Sequence, residues 1–241
     1  MRIHRVYTPA ALDPGKRVTL EGKQAHYLGR VLRVATGQSV VLFNGDGRDY
    51  VCEIQQARKN ALELEVSSRL PAKAESPLNI TVIQAISRGE RMDQTLQKCT
   101  ELGASAFLPV WSERVEVRLK GEKLERRQQH WQSVVISACE QSGRALVPEV
   151  LPAMALSEYL SNPVEAKRLV LAPGVDQALS RLESMEEVNL LVGPEGGFSE
   201  RELSLLEAAG VLPVSLGPRV LRTETAAPAA VAVLQAVFGD F

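Results

Sequence analysis

Cysteine, histidine and aromatic side chains are scarce in this chain of 241 residues, which has 3 cysteines, 3 histidines and 5% aromatics. Cys52, Cys99 and Cys139 are odd in number and widely spaced. They make neither a disulfide framework nor a zinc pattern, which suits a reducing cytoplasm. No metal site is expected. Long apolar runs are also missing. The longest, residues 226–238, contains Pro228 and Gln235 and falls short of the ~20 residues that a bilayer span needs. No basic-then-apolar leader opens the chain, so no secretory signal and no membrane partner are expected. The glycine-rich loops fit neither GxGxxG nor GxxxxGK followed by Ser or Thr. Dinucleotide and Walker-type phosphate chemistry are therefore disfavoured.

What remains is ordinary for a folded protein: 45% hydrophobic and 24% charged residues. The length suits two unequal domains or one large one. Net charge is −1, against a uniformly basic nucleic-acid coat, but its distribution is uneven. Residues 1–72 hold 11 Lys and Arg against 7 Asp and Glu, and the remainder holds 17 against 22. A polyanion would meet the N-terminal part first.

Residues 1–72 read as β-rich. VVLFNGDGRDYVCEI is two strand-like runs around residues 44–47, whose glycines permit a hairpin turn. A second turn falls at Arg58, Lys59 and Asn60, followed by the alternation Leu62, Leu64, Val66. QAHYLGRVLRV reads as one short helix with Leu28, Val31 and Leu32 inward and Arg30 and Arg33 outward. The sum is a small β-barrel with one helix. LPAKAESPL, with two prolines, is the expected linker.

Beyond it the pattern changes to α/β. NITVIQAI, AFLPVW, RLVLAP, VNLLVG and LPVSLG are buried strands separated by helical stretches, which implies a parallel sheet. One helix presents Met92, Leu96 and Cys99 on one face and stops at Gly103. Another turns Leu124, Trp131, Val135 and Ala138 inward.

Two strand-to-helix loops gather the chemistry. The first is Leu191-Val192-Gly193-Pro194-Glu195-Gly196-Gly197-Phe198-Ser199-Glu200-Arg201-Glu202. Ser199 and Glu202 form a capping box, so the helix start is marked. The glycines upstream let a ligand approach the backbone at the carboxyl end of a sheet strand. The second is Leu216-Gly217-Pro218-Arg219-Val220-Leu221-Arg222-Thr223-Glu224-Thr225. It brings donors and a carboxylate to a helix entry. Pro228 suits the first turn of that helix with Thr225 as its cap.

GPEGGFSERE and LGPRVLRTETA, in this order, resemble the signature of the RsmE family. The resemblance extends to QAISRGERMDQTLQKCTELGA and ACEQSGRALVPEV, and HRVY and HYLGRVLR are similar to the family's N-terminal segments. Two departures stand out. Arg88 replaces a usual Lys, and ERVEV at residues 113–117 replaces ERSVV. The resemblance implies a SPOUT-class enzyme that transfers methyl from S-adenosylmethionine to N3 of a uridine in 16S ribosomal RNA. It implies residues 1–72 as a PUA-like RNA-binding β-barrel and residues 73–241 as a methyltransferase domain with a C-terminal trefoil knot. It also implies a homodimer with the pocket near the interface. The apolar helix from residue 226 suits either that interface or the core, and periodicity does not separate the two.

Carried over residue by residue, the donor site would comprise Leu171, Ala172 and Pro173, then Leu191, Val192, Gly193, Pro194, Glu195, Gly196 and Gly197. Leu216, Gly217, Arg219, Val220, Leu221 and Thr223 would complete it. Arg222 is the candidate to stabilise a developing oxyanion, and Glu224 or Glu195 to accept the N3 proton. No histidine lies in either loop; His130 falls on a helix face. For RNA the candidates are Arg5, Arg30, Arg33, Arg88 and Arg91. Two other readings fit the same residues: a non-catalytic RNA-binding or ribosome-assembly factor, and a knotted methyltransferase acting on another RNA.

Overall fold

The structure, a computed structural model, describes residues 4–58, 60–115 and 120–241. Lys59 of the expected second turn, and Glu116 and Val117 of ERVEV, lie outside the described residues. The chain forms two compact units, Met1–Ala74 with Cys139–Val147, and Glu75–Ala138 with Pro148–Phe241. The sequence reading had run the second domain continuously through residues 139–147.

The first unit contains strands β1 (Arg5–Tyr7) and β2 (Arg17–Glu21), helix α1 (Gly22–His26), a π turn (Tyr27–Val31), and strands β3 (Ser39–Phe43), β4 (Tyr50–Ala57) and β5 (Ala61–Arg69). They form one sheet in the order β1-β3-β4-β5-β2. Strand β1 runs parallel to β3, and the other pairs are antiparallel. The edge strands β1 and β2 share no ladder among the described residues. Gly45 and Gly47 take φ of +92° and +83° in the tight connection of β3 to β4, a region open to glycine at no steric cost. Val6, Leu20, Leu42, Ile54 and Leu64 fill the core around Leu28.

Residues 22–31 depart from the expected single helix. The Leu32 amide bonds back to the Tyr27 carbonyl, five residues earlier, at 3.0 Å. The wide turn shifts the face by one residue. Leu28 stays buried, but Val31 is turned out to solvent.

Arg5 is also corrected. Its side chain is 11% exposed and bridges Asp49 at 2.8 Å. It donates to the carbonyls of Cys139 and Arg144 and lies 3.8 Å over the Phe43 ring. Lys73 adds a second contact to Asp49 at 2.7 Å. Arg5 therefore fastens residues 139–147 within the first unit, and its charge is already paired with Asp49.

The second unit contains β6 (Asn79–Ala85), α2 (Arg91–Glu101), β7 (Ala106–Trp111), α3 (Glu122–Ser142, its last residues counted with the first unit), β8 (Glu149–Val150), β9 (Met154–Ala155), α4 (Leu156–Ser161), β10 (Lys167–Leu171), β11 (Glu187–Val192), α5 (Glu200–Ala208), β12 (Leu212–Val214) and α6 (Thr223–Phe238). The sheet order is β12-β10-β11-β6-β7-β8, with β9 also on β7, and every pair is parallel. Met92, Leu96 and Cys99 of α2 are buried, and Gly103 ends that helix at φ +93°. Trp131, Val135 and Ala138 of α3 are buried as expected.

Helix α6 begins two residues before the expected Thr225 cap, with Arg222 as its N-cap, so Pro228 lies inside it. Ala227, Ala230, Val231 and Leu234 are buried within one chain, so this face belongs to the core. No helix among the described residues is long and apolar enough to cross a membrane.

Candidate functional site

Three neighbouring parallel strands, β12, β10 and β11, end side by side at Val214, Leu171 and Val192. Their outgoing loops enclose a cavity of about 620 Å³, within the usual range for small-molecule sites. Val170, Leu171, Val192, Val214, Leu216 and Leu221 supply apolar wall. Two of the loops are the glycine-rich segments singled out by sequence.

The first loop is fixed at its exit. Ser199 accepts the Glu202 amide at 3.1 Å, and the Glu202 carboxylate accepts the Ser199 amide at 2.9 Å. The expected capping box is present. The other oxygen of buried Glu202 accepts the Glu113 amide at 2.8 Å. Arg114 donates to the Gly196 carbonyl at 2.7 Å. The chain after β7 thus braces this loop. A Cβ at Gly193 would meet the Phe198 ring at 3.2 Å, so any side chain there would press on that ring.

The second loop is tied to the first through Thr223. Its hydroxyl donates to the Gly193 carbonyl at 3.0 Å and accepts from the Gln84 side-chain amide at 3.0 Å. Gln84 is fully buried at the end of β6. Gly217 turns this loop with φ +95°, a left-handed conformation that a side chain would strain.

Charge gathers at one wall. Arg91, assigned to RNA by sequence, lines the cavity instead. Its guanidinium contacts the Glu195 carboxylate at 2.7 Å and lies 3.7 Å from that of Glu224. Burial by itself would raise the Glu195 carboxyl. Its own amide, the Arg91 side chain and the Arg88 amide outweigh that and hold it below its ordinary 4.5. Glu224 is different. Its side chain is 15% exposed, and Oε2 is buried with no hydrogen-bond partner among the described residues. Buried polar atoms usually have a partner, so this oxygen is open to one from a ligand. Arg222 also lines the cavity, without an ion pair among the described residues.

Of the residues expected at the donor site, Leu171, Ala172, Pro173, Val192, Gly193, Pro194, Glu195 and Gly197 line the cavity. So do Leu216, Gly217, Arg219, Val220, Leu221 and Thr223, beside Arg222 and Glu224. Leu191 and Gly196 do not. Leu191 is buried in the sheet on the other side from Val192, because successive strand residues face opposite ways. The sequence reading missed Phe198 and Leu203, which also line it. Arg30 and Arg33 are exposed in the first unit, and Arg88 is exposed beside α2.

The remaining reactive groups lie elsewhere. His130 pairs with Asp93 at 2.6 Å and does not line the cavity. All three cysteines are buried, and burial pushes the Cys52 thiol up to about 11. Burial raises the Cys99 thiol as well, so neither of these two is poised as a thiolate nucleophile.

Comparison with known proteins gives these loops a context. A model of the RNA methyltransferase domain matches residues 74–235, and one of the RNA methyltransferase PUA domain matches residues 20–67. The ribosomal RNA small subunit methyltransferase E of Buchnera aphidicola subsp. Schizaphis graminum is 33% identical over 99% of this chain and 98% of its own. A putative methyltransferase from Legionella pneumophila, solved with bound SAM, is 39% identical over both whole chains with a TM-score of 0.96. The ribosomal RNA small subunit methyltransferase E of Neisseria gonorrhoeae, solved with S-adenosyl methionine, is 41% identical over both whole chains with a TM-score of 0.92. Matched from end to end in sequence and in both units of the fold, this chain belongs to the ribosomal RNA small subunit methyltransferase E family.

Proposed function

We propose that the protein transfers a methyl group from S-adenosylmethionine to N3 of a uridine in 16S ribosomal RNA. The observation that carries this is the cavity between the three strand-end loops, in a chain of this family. The residues fit the donor. The apolar wall suits an adenosine moiety. The acidic side, with the unpartnered Oε2 of Glu224, suits a ligand bearing cationic and N–H groups. When bound, S-adenosylmethionine supplies an electrophilic methyl on a sulfonium centre.

The chain's residues then have separable tasks. The cavity-lining residues of the loops 193–197 and 216–221 hold the donor through backbone and apolar contacts. Glu224 Oε2 would accept the N3 proton of the uracil, leaving an electron pair on N3 for the new N–CH₃ bond while the methyl's bond to sulfur breaks and its electrons leave with the neutral thioether product. Arg222 stabilises the negative charge that gathers on the uracil oxygens. Arg91 holds Glu195 and stands near Glu224, fixing both carboxylates. Glu195, already paired, is the weaker proton acceptor of the two and acts as an anchor. Holding the uracil in line with the methyl contributes most of all, since orientation is worth roughly 7–11 kcal/mol in the best cases.

The same reading includes a SPOUT-type knot. Ser215 exchanges backbone hydrogen bonds with residues 177 and 179 at 2.9 and 3.0 Å. Eight residues on, Thr223 bonds Gly193. A chain that passes from the loop after β10 to the loop after β11 in this way supports threading of the tail. Residues 1–72 are the proposed PUA-like RNA-binding part. The protein is proposed to act in the cytoplasm as a homodimer, with exposed Leu203 and Val220 on the cavity rim available to a second copy. The test is direct. Purified protein is incubated with labelled donor and either naked 16S RNA or small subunits lacking the modification, and the methylated atom is mapped by mass spectrometry. Methylation at another atom, or none, overturns the reading.

A further inference from the structure

We infer that the outward face of residues 23–33 binds single-stranded RNA, with Tyr27 as the stacking platform for one unpaired base. This rests on the RNA methyltransferase reading above.

Three observations meet on this segment. The first is apolar exposure. Tyr27 is 45% and Val31 59% exposed, while Leu28 between them is fully buried. The π turn contributes to this: its Leu32-to-Tyr27 bond inserts one residue and carries Val31 outward. Such turns recur at functional sites because they cost helix stability.

The second is charge. Lys23, His26, Arg30 and Arg33 are all exposed on the same segment. No Asp or Glu occurs in the chain between Glu21 and Asp46. None of these four side chains makes a hydrogen bond or ion pair among the described residues. The third is backbone. Arg33 takes φ of +54°, the one positive value at a non-glycine position among the described residues. Such strain persists where the surroundings enforce it, and it clusters at binding sites.

An exposed aromatic ring on one short segment with unpaired cations has a specific complement. A duplex hides its base faces, whereas an unpaired strand offers them. Base stacking on Tyr27, with phosphates on Lys23, Arg30 and Arg33, satisfies the ring and these three cations. The result is sequence-tolerant holding of a strand, separate from recognition of the target uracil.

The test uses the full-length protein and fluorescence anisotropy, with a labelled oligouridylate and an RNA duplex of equal length as probes. Wild type should favour the single strand. Tyr27→Ala should weaken oligouridylate binding by about 5- to 100-fold, the worth of one stacked base, and Tyr27→Phe should retain it. Replacing Lys23, Arg30 and Arg33 together by Ala should reduce the slope of log K against log salt by about 2. Calorimetric affinity for S-adenosylmethionine should be unchanged in every variant, which verifies folding. Wild-type binding by Tyr27→Ala, or an equal loss in Tyr27→Phe, overturns the inference. So does a changed sedimentation coefficient of Tyr27→Ala without RNA, which would make the face a contact between copies. Wild type that binds oligouridylate through Tyr27 but takes no donor would defeat the methyltransferase reading alone.

Discussion

Gln84 and Thr223 lie 139 residues apart in the chain and share a hydrogen bond of 3.0 Å. The Thr223 hydroxyl passes the link on to the Gly193 carbonyl. One side chain thereby joins the end of β6, the first glycine loop and the start of α6.

Thr223→Val keeps the shape and removes the hydroxyl. The Gln84 amide and the Gly193 carbonyl then lose a shared partner in a buried place. The expected cost is about 1–3 kcal/mol of stability. Denaturant unfolding measures it. Donor affinity should fall as well, because the two loops lose their common tether. Equal midpoints and equal affinity would show that the bond holds nothing.

Arg222 lines the cavity from an N-cap position fixed by its own backbone. Arg222→Ala should lower single-turnover methylation by about 10²–10³, the loss seen when an oxyanion donor is removed. Calorimetric donor affinity should change little. Loss of affinity without loss of rate would make the guanidinium a donor contact.

The two carboxylates beside Arg91 are expected to respond differently. Glu224→Gln should reduce the methylation rate by about 10²–10⁴ at every pH where the wild type is active. Glu195→Gln should leave most of the chemical rate and weaken donor binding, because it frees the loop from Arg91. Rate measurements at saturating donor separate the two effects. The reverse pattern would exchange the roles.

Asp49 links acid stability to the first unit. Burial alone would raise its carboxyl, but Arg5 and Lys73 hold it below the usual 3.8. A depressed carboxyl contributes stability above its unfolded value of about 3.9, and this is lost as pH falls through the lower folded value. Removing one partner of a pair this buried costs about 3–5 kcal/mol. Asp49→Asn should therefore be less stable than wild type near neutrality. The gap should narrow below about pH 4. A gap that stays constant to low pH would assign the loss to packing.

What sequence reveals here is local, and what it hides is distant. The Ser199–Glu202 box was legible because its partners stand three residues apart and the motif names its own geometry. The α2 face of Met92, Leu96 and Cys99 was legible from period alone. Arg5 was not, because its carbonyl partners are 134 and 139 residues away. Arg91 read as a surface cation for the same reason: Glu195 is 104 residues distant. Leu191 and Val192 are both apolar, so alternation gave no sign of which one faces the cavity. The π turn left no mark either, since a single added residue in a short helix does not disturb composition.

Pro228 has no amide hydrogen, so the Glu224 carbonyl, four residues earlier in α6, goes without its usual helical donor. The opening turn that carries Thr223 and Glu224 is joined to the apolar shaft by one rung fewer than a regular helix has. That turn is instead held from outside the helix, by the bond of the Thr223 hydroxyl to the Gly193 carbonyl.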